Sequence, residues 1–263
     1  MVSGRRLVVL LGQGISYSAS PAMHSAAFAS AGLDWSYELR DVSAEGLPAA
    51  VAALRTPAYG GANVTIPHKV AVIPLLDELD APAAATGAVN TIRLDGSRLL
   101  GSNTDVAGIR AALGEVGVDP AGASAVVLGA GGSARAAGTA LRGARLSFVT
   151  RRPGAAAELP GQVLSWDDPS WWRLVRGADL LLNATPLGRQ QELPLPVDEL
   201  PLSGAVVDLV YSAAGTPLVR AARDRGLRWA DGWTVLVAQG AAAFEAWTGR
   251  PAPIEAMRAA LPL

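Results

Sequence analysis

The chain has 263 residues, half of them apolar, and a formal net charge of −1 at pH 7, so it is long enough for one large domain or two small ones with a sizeable core. No apolar run reaches the roughly 18 residues that a membrane span needs, and the near-zero charge offers no footprint for nucleic acid or an anionic membrane. Because the chain has no cysteine and only two histidines, disulfides and thiolate metal sites are excluded, and we expect a small-molecule partner, no metal and a cytoplasmic setting.

The N-terminal part of the chain alternates between strand and helix patterns. Ser20 is expected to cap the first helix and Pro21 to begin it. We interpret the first apolar run as a strand rather than a signal peptide because Gly12-Gln13-Gly14 interrupts it. The alternation predicts a mostly parallel sheet, whose ligands collect beyond the carboxyl ends of the strands. The predicted strands are 7–11, 35–42 and 62–66, and the predicted helices are 20–31, 47–54 and a short one that begins at Pro67 and carries Lys69.

The rest of the chain predicts a hairpin and then a second alternation. The hairpin turns at Asp95-Gly96, which is a strong turn signal, and a helix follows the segment 101–105. A loop rich in glycine and proline is predicted at 117–124. Beyond it the predicted strands are 125–128, 146–149, 180–182 and 205–209. One predicted helix follows the glycine-rich segment after the first of these strands and ends near Leu141, and two more are predicted at 233–247 and 254–260. The chain is therefore expected to have an α/β fold.

Lys69 is the only lysine among the 22 basic residues of the chain. Arginine cannot give up its proton in a protein, whereas lysine can. A lone lysine therefore indicates an acid–base role, although chance survival of one surface lysine is the alternative. Reduction of a ketone requires a proton for the nascent alkoxide, which a lysine ammonium can supply while Asp105 orients it. Asp105 could instead cap the helix that begins at Val106, and both roles can hold together.

Asparagine is scarce, and each of its four occurrences has a threonine within two residues. The four are Asn63, Asn90, Asn103 and Asn183. Asparagine and threonine at strand ends serve as turn formers or as a site for a polyol, which needs neutral groups that both donate and accept hydrogen bonds. The pattern favours the polyol site. Of the two histidines, His24 is expected to pack or to form hydrogen bonds within its helix, and His68 is expected to be exposed.

A glycine-rich turn follows the strand that begins the second alternation. Its residues Gly129, Ala130, Gly131, Gly132, Ser133 and Ala134 fit G-x-G-x-x-G/A directly after a strand and at the start of a helix, which is the context of a dinucleotide site. The glycines permit the tight turn and the approach of a pyrophosphate to the helix N-terminus. The alternative is a tight strand–helix turn without a ligand.

The end of the next strand bears on the choice between NAD and NADP. Acidic residues at that position bind the ribose 2′-hydroxyl of NAD, whereas arginine accommodates the 2′-phosphate of NADP. This chain has Thr150, Arg151 and Arg152 there and no acid. Arginine suits a phosphate through its charge and its bidentate geometry. The sequence therefore predicts NADP, and a solvated basic turn is the alternative.

Several segments together resemble the shikimate dehydrogenase family nearly from end to end. The matching segments are Ser18-Ala19-Ser20-Pro21 with His24, Asn63-Val64-Thr65-Ile66-Pro67-His68-Lys69, Gly87-Ala88-Val89-Asn90-Thr91, Asn103-Thr104-Asp105, the glycine turn 129–135 and Asn183-Ala184-Thr185-Pro186. The sequence departs from the family pattern in three places. Gly14 replaces a proline, Val235 replaces a methionine that packs near the nicotinamide, and Thr150-Arg151-Arg152 replaces Asn-Arg-Thr.

The resemblance implies roles for individual residues. It implies that Lys69 and Asp105 are the catalytic pair and that Ser18 and Ser20 bind the substrate carboxylate, which Tyr211 approaches. The implied contacts to the rest of the substrate come from Asn63, Thr65, Asn90, Asp105 and Gln239. The implied cofactor residues are those of the glycine turn and of the basic turn at 150–152, together with Asn183, Ala184, Thr185 and Gly232.

The resemblance also implies a domain organisation and a reaction. Residues 1–102 with 233–263 would form a substrate-binding domain with an open sheet, and 103–232 a Rossmann-type NADP domain, with the active site in a cleft between them. The implied reaction is the NADPH-dependent reduction of 3-dehydroshikimate to shikimate, in a monomer or homodimer. A quinate/shikimate or aminoshikimate dehydrogenase is the alternative among enzymes, and a non-catalytic dinucleotide-binding sensor is the alternative among binding proteins.

Overall fold

The structure is a computed structural model that describes residues 5–262. The chain divides into two compact units, Met1–Asp105 with Leu236–Leu263, and Val106–Val235. The sequence-based domain boundaries, after residues 102 and 232, lie three residues before these division points. Each unit contains one six-stranded sheet. No helix among the described residues is long and apolar enough to cross a membrane.

The first unit contains a mixed sheet with helices around it. Its strands are β1 (Arg6–Gly12), β2 (Trp35–Asp41), β3 (Tyr59–Val64), β4 (Glu78–Leu79), β5 (Thr91–Asp95) and β6 (Arg98–Ser102), in the spatial order β2-β1-β3-β5-β6-β4. The pairs β1–β2, β1–β3 and β4–β6 are parallel, and β5 is antiparallel to β3 and β6. The helices of this part of the chain are α1 (Ser20–Ser30), α2 (Leu47–Ala53) and α3 (Ala81–Thr86), and a 3₁₀ turn covers Ile73–Leu75. Helix α4 (Asp105–Glu115) follows, and all of it except Asp105 belongs to the second unit.

The second unit contains an all-parallel sheet. Its strands are β7 (Ser124–Leu128), β8 (Arg145–Thr150), β9 (Gln162–Ser165), β10 (Leu180–Asn183), β11 (Ala205–Asp208) and β12 (Arg228–Ala230), in the spatial order β12-β11-β10-β7-β8-β9. Besides α4, the helices within this unit are α5 (Gly132–Ala140), α6 (Trp171–Arg176) and α7 (Pro217–Asp224), with 3₁₀ turns at Pro153–Ala156 and Val197–Glu199. The chain order leads away from β7 in both directions, which is the doubly wound pattern of dinucleotide-binding sheets.

Two C-terminal helices, α8 (Gly232–Thr248) and α9 (Ile254–Ala259), complete the chain. Trp247 of α8 packs against the first sheet, where its indole nitrogen donates to the carbonyl of Ile92 at 3.0 Å. Gly61 of β3 permits this approach, because a Cβ at that position would lie 2.3 Å from the indole ring. A burial of this kind removes a large aromatic side chain from water and anchors the helix to the sheet.

The strand registers of the first sheet bring segments that are distant in sequence to one end of its central strands. Asn63 near the end of β3 pairs with Thr91 at the start of β5, and Thr91 pairs with Ser102 at the end of β6. Residues that follow β3, precede β5 and follow β6 therefore meet at this end of the strands. Lys69, Asn90 and Asp105 belong to those three segments.

Two local predictions in this unit are wrong. Residues 66–72 form successive turns instead of a helix that begins at Pro67. Ser20 is the first residue of α1 instead of its cap, and the side-chain oxygen of Ser18 accepts from the Ser20 backbone N–H at 3.3 Å. Helix α4 begins at Asp105 instead of at Val106, and Asn103 Oδ1 accepts from the Asp105 N–H at 3.1 Å.

Candidate active site

Lys69 and Asp105 form an ion pair at the end of the central strands of the first sheet. The Lys69 Nζ donates to Asp105 Oδ2, and the two side chains are only 11% and 12% exposed. The second carboxylate oxygen, Oδ1, accepts from Asn90 Nδ2 at 2.7 Å. An ammonium and a carboxylate removed from most of the solvent hold each other in a defined geometry. The pair retains enough exposure for a ligand to reach it.

Asn90 is the centre of the hydrogen-bond network behind this pair. Its Nδ2 also donates to Thr104 Oγ1 at 3.0 Å, and its Oδ1 accepts from the Thr104 N–H at 2.8 Å and from Thr91 Oγ1 at 2.9 Å. These three residues are at most 6% exposed. Thr91 and Thr104 were not predicted as site residues individually, although each adjoins an asparagine in the segments that were.

Asn63 lies in the same network, on the side of β3. Its Nδ2 donates to Thr91 Oγ1 at 3.1 Å and to the carbonyl of Asn90 at 3.0 Å, and its Oδ1 accepts from the Tyr37 hydroxyl at 2.8 Å. Both amide protons are therefore used within the protein, and one acceptor position of Oδ1 remains for a ligand. Tyr37 was missed by the sequence analysis, because a tyrosine in an alternating strand has no motif that separates it from the core.

The other residues predicted to contact substrate in this unit lie at partly accessible positions. Ser18 and Thr65 are half-buried, while Ser20 is 7% exposed. Gln239 on α8 is half-buried, and its Oε1 accepts from Asn90 Nδ2 at 3.4 Å. Gln239 is thereby tied to the same asparagine as the ion pair. Tyr211 and Gly232 belong to the second unit.

The four asparagines, predicted together as a polyol site, divide into two groups. Asn63 and Asn90 lie at the ion pair, as described above. Asn103 is 2% exposed and donates to Thr86 Oγ1 and to the carbonyl of Ala88. Asn183 is fully buried in the second unit. The side chains of the latter two shape loops through protein hydrogen bonds, which is the turn-forming role that was the alternative.

One histidine differs from its prediction, and the other packs as predicted. His68 is 1% exposed instead of exposed, and its Nε2 lies 2.7 Å from the carbonyl of Val42, to which it donates. The turn after β3 directs this side chain back toward the end of β2. His24 is fully buried against Tyr37, with ring centroids 4.6 Å apart, and its ring nitrogens have no partner among the described residues. Burial lowers the pKa of His24 to about 3, so this ring is a neutral packing residue.

The glycine turn of the second unit offers an open, positive helix terminus. Gly129 has φ +114°, which a side chain would strain, and a Cβ there would lie 3.0 Å from the carbonyl of Ala184. Gly131 is exposed, and a Cβ there would meet no atom within 4 Å. The helix α5 begins at Gly132 with its first N–H groups near this space. The turn therefore fits the pyrophosphate of a dinucleotide.

The basic turn at the end of β8 lies beside the glycine turn in the sheet, because β8 pairs with β7. Thr150 is buried, while Arg151 and Arg152 are exposed. The Thr150 Oγ1 accepts from the Arg152 N–H at 3.3 Å, which shapes the turn. Two exposed guanidinium groups with no acid among residues 150–152 fit a ribose 2′-phosphate better than a ribose hydroxyl. No group of three or more potential metal ligands is found among the described residues.

The loop after β10 is held by a buried network in the second unit. Asn183 Oδ1 accepts from the Thr185 N–H at 3.0 Å and from Thr185 Oγ1 at 2.6 Å. Its Nδ2 donates to Asp208 Oδ1 at 2.9 Å. Asp208 is fully buried, and burial raises the pKa of this carboxyl to about 6. The family resemblance predicted Asn183 and Thr185 as cofactor residues, whereas no sequence motif assigned a role to Asp208.

Comparison with known families and proteins identifies relatives over nearly the whole chain. The model of the shikimate dehydrogenase substrate binding domain matches residues 10–92, and the model of the shikimate 5′-dehydrogenase C-terminal domain matches residues 232–261. The shikimate dehydrogenase (NADP(+)) of Moorella thermoacetica is 46% identical over 267 residues, which cover 95% of this chain and 90% of that protein.

Solved structures agree with these matches. The shikimate 5-dehydrogenase of Thermus thermophilus in complex with NADP(H) and shikimate has a TM-score of 0.87 and 38% identity, with 97% of this chain and 98% of that chain covered. The quinate dehydrogenase of Corynebacterium glutamicum in complex with NAD has a TM-score of 0.86 and 31% identity, with 98% and 99% covered. These likenesses confirm the predicted α/β fold class, and with the identity to curated relatives they show that the chain belongs to the shikimate dehydrogenase family.

Proposed function

We propose that this chain catalyses the reversible NADPH-dependent reduction of 3-dehydroshikimate to shikimate, as part of chorismate and aromatic amino acid biosynthesis, with Lys69 as the acid. The observation that carries the proposal is the ion pair between the only lysine of the chain and Asp105, which is braced by Asn90. A dehydrogenase requires a proton donor that also recovers its proton, and among the basic side chains lysine meets this need better than arginine.

The residues of the first unit have separate parts in this reaction. When NADPH is bound, its nicotinamide supplies the hydride that reduces the ring ketone. The Lys69 Nζ donates a proton to the ketone oxygen and stabilises the negative charge that develops there. Asp105 orients the ammonium and accepts from a ring hydroxyl. In the oxidation direction Lys69 accepts the proton from the substrate hydroxyl, in accordance with reversibility.

The substrate's other polar groups have partners of suitable chemistry. Ser18 and Ser20 supply hydroxyl donors for the carboxylate, and we assign Tyr211 to the same group on the basis of the family resemblance. Asn63, Thr65, Asn90 and Gln239 are neutral side chains that both donate and accept, as a polyol requires. Since Asn63 and Asn90 use most of their hydrogen-bonding capacity within the protein, we expect them to orient neighbouring groups as much as to contact substrate.

The cofactor residues proposed are those of the glycine turn, 129–134, and Thr150, Arg151 and Arg152 at the ribose phosphate. Further cofactor residues proposed are Asn183, Ala184, Thr185 and Gly232. The open face at Gly131 and the exposed arginines support this assignment. We further propose that the enzyme acts in the cytoplasm as a monomer or homodimer, without nucleic acid or membrane partners.

Steady-state assays with shikimate and quinate, each with NADP⁺ and NAD⁺, test the reaction. We expect absorbance of the reduced nicotinamide to rise fastest with shikimate and NADP⁺. The likeness to a quinate dehydrogenase that binds NAD makes quinate with NAD⁺ the second candidate. Faster turnover of quinate with NAD⁺ than of shikimate with NADP⁺ would replace the proposed reaction, and turnover in none of the four assays would indicate a dinucleotide-binding sensor.

A further inference from the structure

Asp208 connects the loops that follow two neighbouring strands of the second sheet. Its Oδ1 accepts from Asn183 Nδ2 at the end of β10 and from the Val210 N–H after β11, at 2.9 and 3.0 Å. Its Oδ2 accepts from Thr216 Oγ1 at 2.6 Å, at the start of α7. All three donors are neutral, so none of them provides a positive charge to compensate this fully buried carboxylate. Its hydrogen bonds instead link three segments of the chain.

The contacts of Asn183 extend this connection to the glycine turn. Asn183 uses its second amide proton on the carbonyl of Leu187 at 2.9 Å and its oxygen on Thr185, so the loop 183–187 folds around its side chain. The next residue, Ala184, donates its N–H to the carbonyl of Leu128 at 2.9 Å, and its own carbonyl lies beside Gly129. A shift of Asn183 therefore moves the backbone that borders the glycine turn.

We propose that Asp208 is a positioning residue for NADP, which fixes the loop 183–187 against the glycine turn through Asn183. This inference rests on the proposed function, since that function puts the cofactor at the glycine turn. Asp208 is fully buried, so its carboxylate is out of reach of a ligand and acts through Asn183. A purely structural carboxylate would influence folding alone, whereas a positioning residue influences affinity in a protein that still folds.

The test compares Asp208→Asn and Asp208→Ala with wild type in NADP⁺ affinity, measured by quenching of tryptophan fluorescence, and in melting temperature at pH 8. The asparagine can still accept from Asn183 and Val210, but its amide protons face Thr216, whose oxygen already accepts from the Val219 N–H. We expect NADP⁺ affinity to fall by about tenfold or more in Asp208→Ala and by less in Asp208→Asn, as one or more hydrogen bonds are weakened or lost. The melting temperature of Asp208→Asn should not fall, because the substitution removes a buried charge.

Asp179→Asn is the matched control. Asp179 precedes β10 and accepts from Ser124 N and Oγ at the opposite end of the same sheet, each at 2.8 Å. Its substitution should leave NADP⁺ affinity unchanged. Equal losses in Asp179→Asn and Asp208→Asn, wild-type affinity in both Asp208 variants, or affinity losses only in variants that also melt lower would overturn the proposal.

Two further outcomes are distinguishable. If Asp208→Ala does not fold, Asp208→Asn and Thr216→Val decide the question by the same measurements, and unchanged affinity in both would overturn the proposal. NADP⁺ binding is read without shikimate turnover. A wild-type protein that binds NADP⁺ but does not oxidise shikimate would therefore refute the proposed reaction alone, whereas one that does not bind NADP⁺ would overturn this inference as well.

Discussion

The two units each bury a carboxylate in a polar network, but they treat its charge differently. In the first unit Asp105 faces the ammonium of Lys69 and retains some exposure. In the second unit Asp208 faces only neutral donors and is fully buried. A paired charge with access to solvent can take part in proton transfer, whereas an unpaired and inaccessible one can only hold its donors in place. The first network is therefore suited to proton transfer, and the second is suited to holding backbone segments in place.

Substitution of Lys69 should break the first network's function with the largest effect. Lys69→Ala removes the proton donor, so we expect shikimate oxidation with NADP⁺ to slow by roughly 10²- to 10⁴-fold, the usual value of general acid–base catalysis. NADP⁺ affinity should remain near wild type. Steady-state kinetics and fluorescence titration measure the two quantities.

Lys69→Arg is the matched control for charge. It keeps a cation beside Asp105 but cannot give up a proton at ordinary pH. We expect it to be nearly as slow as Lys69→Ala. Turnover close to wild type in the arginine variant would show that a positive charge is sufficient and would remove the acid role of Lys69.

The next effect concerns the stability of the two units at acidic pH. The pKa of His24 falls to about 3 through burial, so between pH 6.5 and pH 3 the unfolded chain binds a proton that the folded chain does not. Stability is therefore lost as the pH falls through this window, by up to about 1.4 kcal/mol per pH unit. In His24→Phe this loss should disappear, which amounts to roughly 2 kcal/mol between pH 6.5 and pH 5. Urea denaturation at several pH values measures it.

Asp208 contributes a pH dependence of stability with the opposite sign. Burial raises the pKa of Asp208 to about 6, with a smaller contribution from the charge of Asp231. The folded chain therefore holds a proton that the unfolded chain has released, and this contribution to stability is lost as the pH rises from about 4 to 6. Asp208→Asn should abolish the loss of stability that occurs as the pH rises from about 4 to 6. His24→Phe should abolish the loss of stability that occurs as the pH falls below about 6.5. If both variants keep the pH dependence of the wild type, neither group titrates as its burial implies.

How much of these networks the sequence predicts depends on the kind of signal. Lys69 was predicted because it is the only lysine in this chain, and Asp105 because its segment resembles a family motif. The glycine turn was predicted because it follows a strand and begins a helix. Tyr37 and Asp208 carry no such signal, since a tyrosine within a strand or an aspartate at the end of a strand usually has a local role. Their positions depend on strand registers and on neighbours far along the chain, which single-sequence patterns do not encode. The exposure predicted for His68 was wrong for the same reason.

A smaller effect tests the exposed charges of the second unit. Arg151→Ala should weaken NADP⁺ binding by about tenfold, the loss expected for one charged hydrogen bond, and leave NAD⁺ binding nearly unchanged. Arg152→Ala, one residue along the same turn, is the comparison that shows which guanidinium matters more. Titration of both variants with both dinucleotides provides the measurement, and equal weakening of NADP⁺ and NAD⁺ by both variants would argue against a phosphate contact.

The smallest effect tests whether Tyr37 belongs to the first network. Tyr37→Phe keeps the ring stacked on His24 but removes the hydroxyl that donates to Asn63. Since one buried hydrogen bond is lost, stability should fall by about 1 kcal/mol, measured by urea denaturation at pH 7.5. Tyr59→Phe is the control, because the Tyr59 hydroxyl has no hydrogen bond to the described residues. The freed Asn63 oxygen gains capacity for a ligand hydroxyl, so the KM for shikimate should change more than kcat. A change in kcat alone would place Tyr37 with the catalytic pair instead of with Asn63.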